Sequence, residues 1–256
     1  MIKSVVFDMG GTLEDIVTTP ESALRCGERM LEHLALHGIA LPYDASAFMD
    51  IVIPNSDAYR TWSLGTLREL MPFEQWSQWR FKGIEMDQDL LRAISEELMF
   101  IWETTYFDRN IRPDAADVLR TLKGMGYRMG VISNTGTLTQ VYHTLDLFGI
   151  RQYFDAVCLS SISGFRKPHP ILFEVTARNL GCAPPECAYV GDTLTRDVIG
   201  SRRAGYGLCV RIGSHLTQIS DAQIAVKDDE RTDADHVIES LTELIALLSR
   251  PAPGQH

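Results

Sequence analysis

The chain has 256 residues, 45% of them hydrophobic and 23% charged, which is the balance of a globular protein able to bury one large core or two smaller ones. Its formal charge of −10 argues against a general nucleic-acid or anionic-membrane surface. It leaves phosphate substrates open, because a metal ion and a few local cations set the field inside a site. No apolar run approaches the ~18 residues of a membrane span, and Asp8 interrupts the first apolar stretch too early for a secretory leader. The cysteines, Cys26, Cys158, Cys182, Cys187 and Cys209, are scattered without a CxxC pair, so reduced buried thiols and a cytoplasmic location are expected.

In chain order, Ile2-Lys3-Ser4-Val5-Val6-Phe7 reads as a buried strand running into Asp8 and then Met9-Gly10-Gly11-Thr12-Leu13-Glu14-Asp15. A carboxylate at the C-terminal end of a buried strand stands where open α/β sheets place their ligands, and the glycines let backbone approach it closely. Residues 18–108 then read as helical, without strand alternation. Thr19-Pro20-Glu21 opens a helix that carries Leu24, Met30, Leu31, Leu34 and Leu36 as far as Gly38. A second helix is expected over 45–53. A third part carries Trp62, Leu67, Leu70, Phe73, Trp76 and Trp79, and a long helix over 87–105 places Leu90, Leu91, Ile94, Leu98, Ile101 and Trp102 on one face.

From Arg112 the pattern changes to helix and strand in alternation. Helices are expected over 113–124, 137–148, 170–180, 197–204 and 240–249, and strands over 127–133, 156–159, 188–190, 207–212 and 236–238. This is the signature of a parallel sheet covered on both faces, an α/β, Rossmann-like, doubly wound core. The expected division is a core of residues 1–16 and 109–250, a helical insertion over 17–108, and a loose tail over 251–256.

Three of the expected strands end in polar residues, Asp8, Ser133-Asn134 and Asp192, and parallel strands bring such ends to one edge. Lys167 adds a cation, and Asp197 follows Asp192 by five residues. Two carboxylates, a hydroxyl and a lysine suit phosphoryl transfer. One carboxylate attacks phosphorus or binds Mg²⁺, the other completes the hard-oxygen shell of the ion, and the donors hold phosphate oxygens.

In this set the chain resembles the haloacid dehalogenase (HAD) superfamily of hydrolases. The resemblance rests on Phe7-Asp8-Met9-Gly10-Gly11-Thr12-Leu13, Val131-Ile132-Ser133-Asn134, Lys167-Pro168 and Val190-Gly191-Asp192-Thr193-Leu194-Thr195-Arg196-Asp197, in that order. It implies that the helical insertion is a cap domain and that Asp8 is a nucleophile forming an aspartyl-phosphate. It further implies a Mg²⁺ cofactor held by Asp8, the Gly10 carbonyl and Asp192 with Asp197 in support. Ser133, Asn134 and Gly11 would bind the phosphoryl group, and Lys167 would steady its charge. The implied substrate is a small phosphorylated metabolite, and the assembly a monomer or homodimer.

The chain departs from the family at Gly10, where the phosphatases usually carry an aspartate that protonates the leaving group and then activates water. Several readings stay open. Glu14 or Asp15 substitutes for it, or the leaving group needs little protonation, or the protein is a weak or silent binding module. Dehalogenation of a 2-haloacid is a further alternative. Trp62, Trp76, Trp79 and Trp102 are expected mainly in the cap core, one or two of them lining the pocket with Arg60 or Arg68, while Arg166 and Arg196 read as surface charges. The histidines show no metal spacing, and no serine- or thiol-hydrolase arrangement stands out.

Overall fold

The computed structural model describes residues 1–215 and 233–249, so the tail expected over 251–256 lies outside the described residues. In chain order the elements are β1 (Ser4–Phe7), β2 (Glu14–Val17), α1 (Pro20–Leu36), α2 (Ala45–Thr66), α3 (Pro72–Gln75), α4 (Gln88–Ile101), β3 (Asp108–Ile111), α5 (Ala115–Gly124), β4 (Arg128–Ser133) and α6 (Gln140–Leu147). There follow β5 (Ala156–Leu159), α7 (Ser160–Ser163), α8 (Ile171–Asn179), β6 (Cys187–Gly191), α9 (Ile199–Arg203), β7 (Leu208–Ile212), β8 (His236–Ile238) and a closing helix, Glu243–Leu248.

Six strands form one sheet in the order β5-β4-β1-β6-β7-β8, parallel at every pairing. Because β1 is central, its side chains alternate between two cores. Val5 and Phe7 pack with Leu119, Leu145 and Leu244 on one face, while Val6 packs with Leu172, Phe173 and Tyr189 on the other. A strand buried on both faces reads as an unbroken apolar run, which is why the sequence reveals it.

The helices between Pro20 and Ile101 enclose a core of their own, with Met30, Leu34, Phe48, Val52, Trp76, Leu98 and Trp102 at its centre. Thr19 and Ser22 cap α1 reciprocally, Thr19 Oγ1 accepting from the Ser22 amide at 3.0 Å and Ser22 Oγ from the Thr19 amide at 2.9 Å. Helix α2 extends well beyond the expected 45–53 and continues through Pro54. Burial of Val52, Tyr59 and Leu64 along its length outweighs the bond lost at proline. Helix α3 runs into a wide turn over Trp76–Arg80, and α4 into another over Trp102–Tyr106.

The sequence reading missed the link between the two parts. Strands β2 and β3 pair antiparallel, Glu14 opposite Ile111 and Ile16 opposite Arg109, as a two-stranded ribbon. The helical part also docks on the C-terminal edge of the sheet. The Glu69 amide donates to the Gly164 carbonyl at 3.0 Å, and the Arg166 amide donates to the Leu67 carbonyl at 3.0 Å. Glu96 on α4 accepts from the amide of Leu138 at 2.9 Å and from Thr139 Oγ1 at 2.7 Å. No helix among the described residues is long and apolar enough to cross a membrane.

Candidate active site

Asp8 follows β1 directly and is 6% exposed. Lys167, 1% exposed, reaches it from the loop before α8. The three N–H donors of Lys167 Nζ have three acceptors: Asp8 Oδ1 at 2.6 Å, Asp197 Oδ1 at 2.7 Å and the Tyr189 hydroxyl at 3.0 Å. The Tyr189 hydroxyl donates in turn to Asp197 Oδ1 at 3.1 Å, and Thr193 donates to Asp197 Oδ2 through its amide at 3.0 Å and its hydroxyl at 2.5 Å. Burial pushes Asp197 upward, but Lys167, Arg196 and these donors outweigh it and hold its carboxyl below the ordinary value. Burial dominates at Asp8, whose carboxyl is raised although Lys167 opposes the shift.

Asp192 ends β6 beside this network, and carboxylate oxygens of Asp8, Asp192 and Asp197 lie within 4.8 Å of one another. Burial, with the charges of Asp197 and Asp8, pushes Asp192 up to about 7. The neighbouring backbone is shaped around these carboxylates. A Cβ at Gly11 would stand 2.4 Å from Asp192 Oδ2, and one at Gly191 would stand 2.4 Å from the carboxyl carbon of Asp197. Both positions therefore require glycine, and Gly11 has in addition a φ of 80°. Crowded buried carboxylates of this kind, all hard oxygen donors, suit a divalent cation.

Ser133, at the end of β4, lines the cavity above Asp8, and its hydroxyl makes no hydrogen bond among the described residues. Asn134 clamps the loop that carries the lysine, accepting from the Lys167 amide at 2.8 Å and donating to its carbonyl at 3.3 Å. Gly11, expected at the phosphoryl group, is placed elsewhere. Its amide is taken by the Glu14 carbonyl at 2.7 Å and its carbonyl by Arg112 at 2.8 Å. It supports Asp192 and leaves the cavity wall to Gly10.

Gly10 faces the cavity under the side chain of Ile16, whose Cδ1 would be 2.6 Å from an added Cβ. Neither expected substitute carboxylate reaches this wall. Strand alternation along β2 turns Asp15 to the opposite side, where it lies 3.5 Å from Arg112 Nε and lines a separate cleft with His215. Glu14 is fully buried against Arg109, which also holds Glu103 at 2.6 Å, and it does not line the cavity. Burial raises the Glu14 carboxyl although Arg109 opposes the shift.

The cavity measures about 390 Å³ and lies between the sheet edge and the helices. Arg166 and Arg196, read from sequence as surface charges, both line it, whereas Arg68 lies over the Phe165 ring at 5.1 Å, away from the wall. Of the four tryptophans, Trp102 lines the cavity and Trp76 is wholly inside the helical core. Sequence reasoning also missed Tyr189, Glu69, Arg80, Glu103 and Arg109. A tyrosine in an otherwise apolar strand is the one clear signal among them; the rest are charges in turns, a loop or the short strand β3.

A family model described as "haloacid dehalogenase-like hydrolase" matches residues 2–205, and the chain belongs to that family of hydrolases. It is similar to a glyceraldehyde 3-phosphate phosphatase of Methanothermobacter thermautotrophicus, 38% identical over 106 residues, or 41% of this chain and 46% of that protein. The match therefore spans under half of that relative. A glyceraldehyde 3-phosphate phosphatase of Pyrococcus furiosus is 24% identical over 252 residues, 97% of this chain and 94% of that one. The solved structure of a 2-haloacid dehalogenase from Pseudomonas syringae superposes with a TM-score of 0.62 at 21% identity, covering 98% of this chain and 99% of that one. At that identity the likeness is one of fold.

Proposed function

We propose that the chain is a Mg²⁺-dependent phosphatase of small phosphomonoesters that works through Asp8, with the helices between Pro20 and Ile101 as its cap. The observation that carries this reading is buried Asp8 at the wall of a cavity, ion-paired to Lys167 at 2.6 Å beside two further buried carboxylates. Phosphatases among the relatives, one aligned over nearly the whole chain, support it. In this reading Asp8 attacks phosphorus as the bond to the leaving alcohol breaks, carries the phosphoryl group as an aspartyl-phosphate, and is freed when water cleaves that bond to release phosphate. Lys167 favours the ionised form of Asp8 against the push of burial and aims it, and Tyr189 and Asp197 hold Lys167 in turn. Ser133 meets the phosphoryl oxygens in this reading, and Asn134, which also lines the cavity, holds the Lys167 loop beside them. Asp8, Asp192 and the Gly10 carbonyl are the residues that would hold Mg²⁺, which supplies positive charge to the transferring group when bound. A cavity of about 390 Å³ suits a metabolite-sized substrate.

With glycine at position 10 and Glu14 and Asp15 directed elsewhere, the protein turns over best those esters whose leaving group departs without a proton, such as acyl, anomeric or aryl phosphates. All five cysteines are buried and none forms a disulfide, which supports a reducing, cytoplasmic setting. Phosphate release from a panel of alkyl, aryl, acyl and anomeric phosphates, with chelator and Asp8→Asn as controls, tests the reading. Turnover that disappears in both controls is expected. Turnover of a 2-haloacid without metal, or no turnover of any phosphate by folded protein, overturns it.

A further inference from the structure

The cations around the cavity differ in how they are neutralised. Lys167 is matched by Asp8 and Asp197, Arg109 by Glu14 and Glu103, and Arg166 by Glu69. Arg60 stands at the more exposed rim, beside Arg166 and Arg196, whose like charges oppose its own. Arg80 is unlike all of these. It lines the cavity, is 6% exposed, and forms no ion pair with any carboxylate of the described residues. Its protein partners are neutral. Nη1 donates to Ser56 Oγ at 2.9 Å, Nη2 reaches Gln75 Oε1 at 3.4 Å, and the buried Nε–H has no acceptor among the described residues. The rings of Trp102 and Trp76 lie 4.7 Å and 5.3 Å from its guanidinium carbon. The nearby Glu103 is committed to Arg109.

Buried charge is ordinarily paired, because an uncompensated ion in a low-dielectric interior is costly. Arg80 lines the same cavity as Asp8 and Ser133 and is joined to its far wall through a neighbour. Gln75, which accepts from Arg80, packs on Gly136, two residues beyond Asn134, where an added Cβ would be 3.0 Å from Gln75 Oε1. Aromatic faces and neutral hydrogen bonds hold the guanidinium in place while leaving its charge for an incoming group.

We propose that Arg80 binds a second anionic group of the substrate, a carboxylate or a further phosphate, remote from the phosphoryl group that meets Asp8. This rests on the phosphatase reading for the identity of the first group. The enzyme then selects small phosphorylated compounds with an acidic tail over their neutral counterparts, and Arg80 is the residue that discriminates.

Non-hydrolysable probes separate this proposal from the reaction itself. Binding of 3-phosphonopropionate, propane-1,3-bisphosphonate and the neutral-tailed propylphosphonate is measured by calorimetry in Mg²⁺, with wild type and Arg80→Met. The expected result is a preference of about 10- to 100-fold for at least one acidic-tailed probe, the range of one charge-assisted hydrogen bond. Whichever probe binds tighter identifies the tail as carboxylate or phosphate. The preference collapses toward one in Arg80→Met, whose ligand-free melting temperature is no lower than that of wild type, because a buried unpaired charge has been removed. If Arg80→Met does not fold, Arg80→Gln, which keeps a donor toward Ser56, is read by the same ratio. Equal binding of the three probes to wild type, or a preference that survives loss of the guanidinium, overturns the proposal. Turnover of phenyl phosphate by the same preparations reports separately on the phosphatase reading.

Discussion

The absence of a side chain at position 10 yields the sharpest prediction. Restoring a carboxylate there by Gly10→Asp requires space that Ile16 now fills, since its Cδ1 would lie 2.6 Å from the new Cβ. The contact is with the end of a flexible side chain, so Gly10→Asp alone carries an overpacking cost of about 1–3 kcal/mol. Pairing it with Ile16→Ala, a half-buried position, relieves that cost. A general acid–base group contributes ~10²–10⁴-fold, or about 3–5 kcal/mol of barrier. It acts most where the leaving group most needs a proton. The double variant is therefore expected to gain on the order of 10²-fold or more with ethyl phosphate, and much less with 4-nitrophenyl phosphate. Alcohol release in the first turnover, which reports departure of the leaving group and not the later attack of water, is compared for wild type, the two single variants and the double variant. A gain of equal size for both esters, or none for either in a folded protein, would refute the reasoning that position 10 faces the leaving group and lacks its acid.

Three further outcomes are expected. Lys167→Met leaves the buried carboxylates of Asp8 and Asp197 without their shared cation; urea unfolding in chelator should show a loss of about 3–5 kcal/mol, and a loss below about 1 kcal/mol would contradict the network. Glu69→Gln weakens the junction at which Glu69, from the segment after α2, accepts from Ser160 at 2.7 Å and pairs with Arg166. Amide hydrogen exchange at Glu69 and Arg166 should accelerate about ten-fold or more, against little change in β1. Burial pushes the Cys26 and Cys187 thiols up to about 11, and all five cysteines are buried. At pH 8 the Cys26 and Cys187 thiolates are scarce in the folded state and burial shields all five sulfurs, so a disulfide reagent should react only as the protein unfolds; fast labelling of native protein would contradict this.

Much of the candidate site's floor is legible in the sequence because Asp8 and Asp192 follow buried apolar strands, and Lys167 and Asp197 keep motif spacing to them. The five other sheet strands are legible for the same reason as β1, being apolar runs between turn signals. The ribbon of β2 and β3 is not. Glu14-Asp15-Ile16-Val17 and Asp108-Arg109-Asn110-Ile111 carry charge at the positions that pairing buries, so their strand character comes from one another. That same hidden strand explains the misplacement of Asp15, since alternation along it decides which side chain faces the cavity. Arginines were the least legible residues. Arg80, Arg166 and Arg196 lie in turn or loop segments whose local pattern looks solvated, and only the docking of the helices over the sheet edge turns them inward.

The most direct test of the account is to quench the protein in acid during turnover of an aryl phosphate in Mg²⁺ and map the phosphoryl group by peptide mass. The account predicts a phosphoryl adduct on the peptide containing Asp8, absent in Asp8→Asn together with turnover. Turnover that proceeds without label on Asp8, or that survives Asp8→Asn, would contradict it.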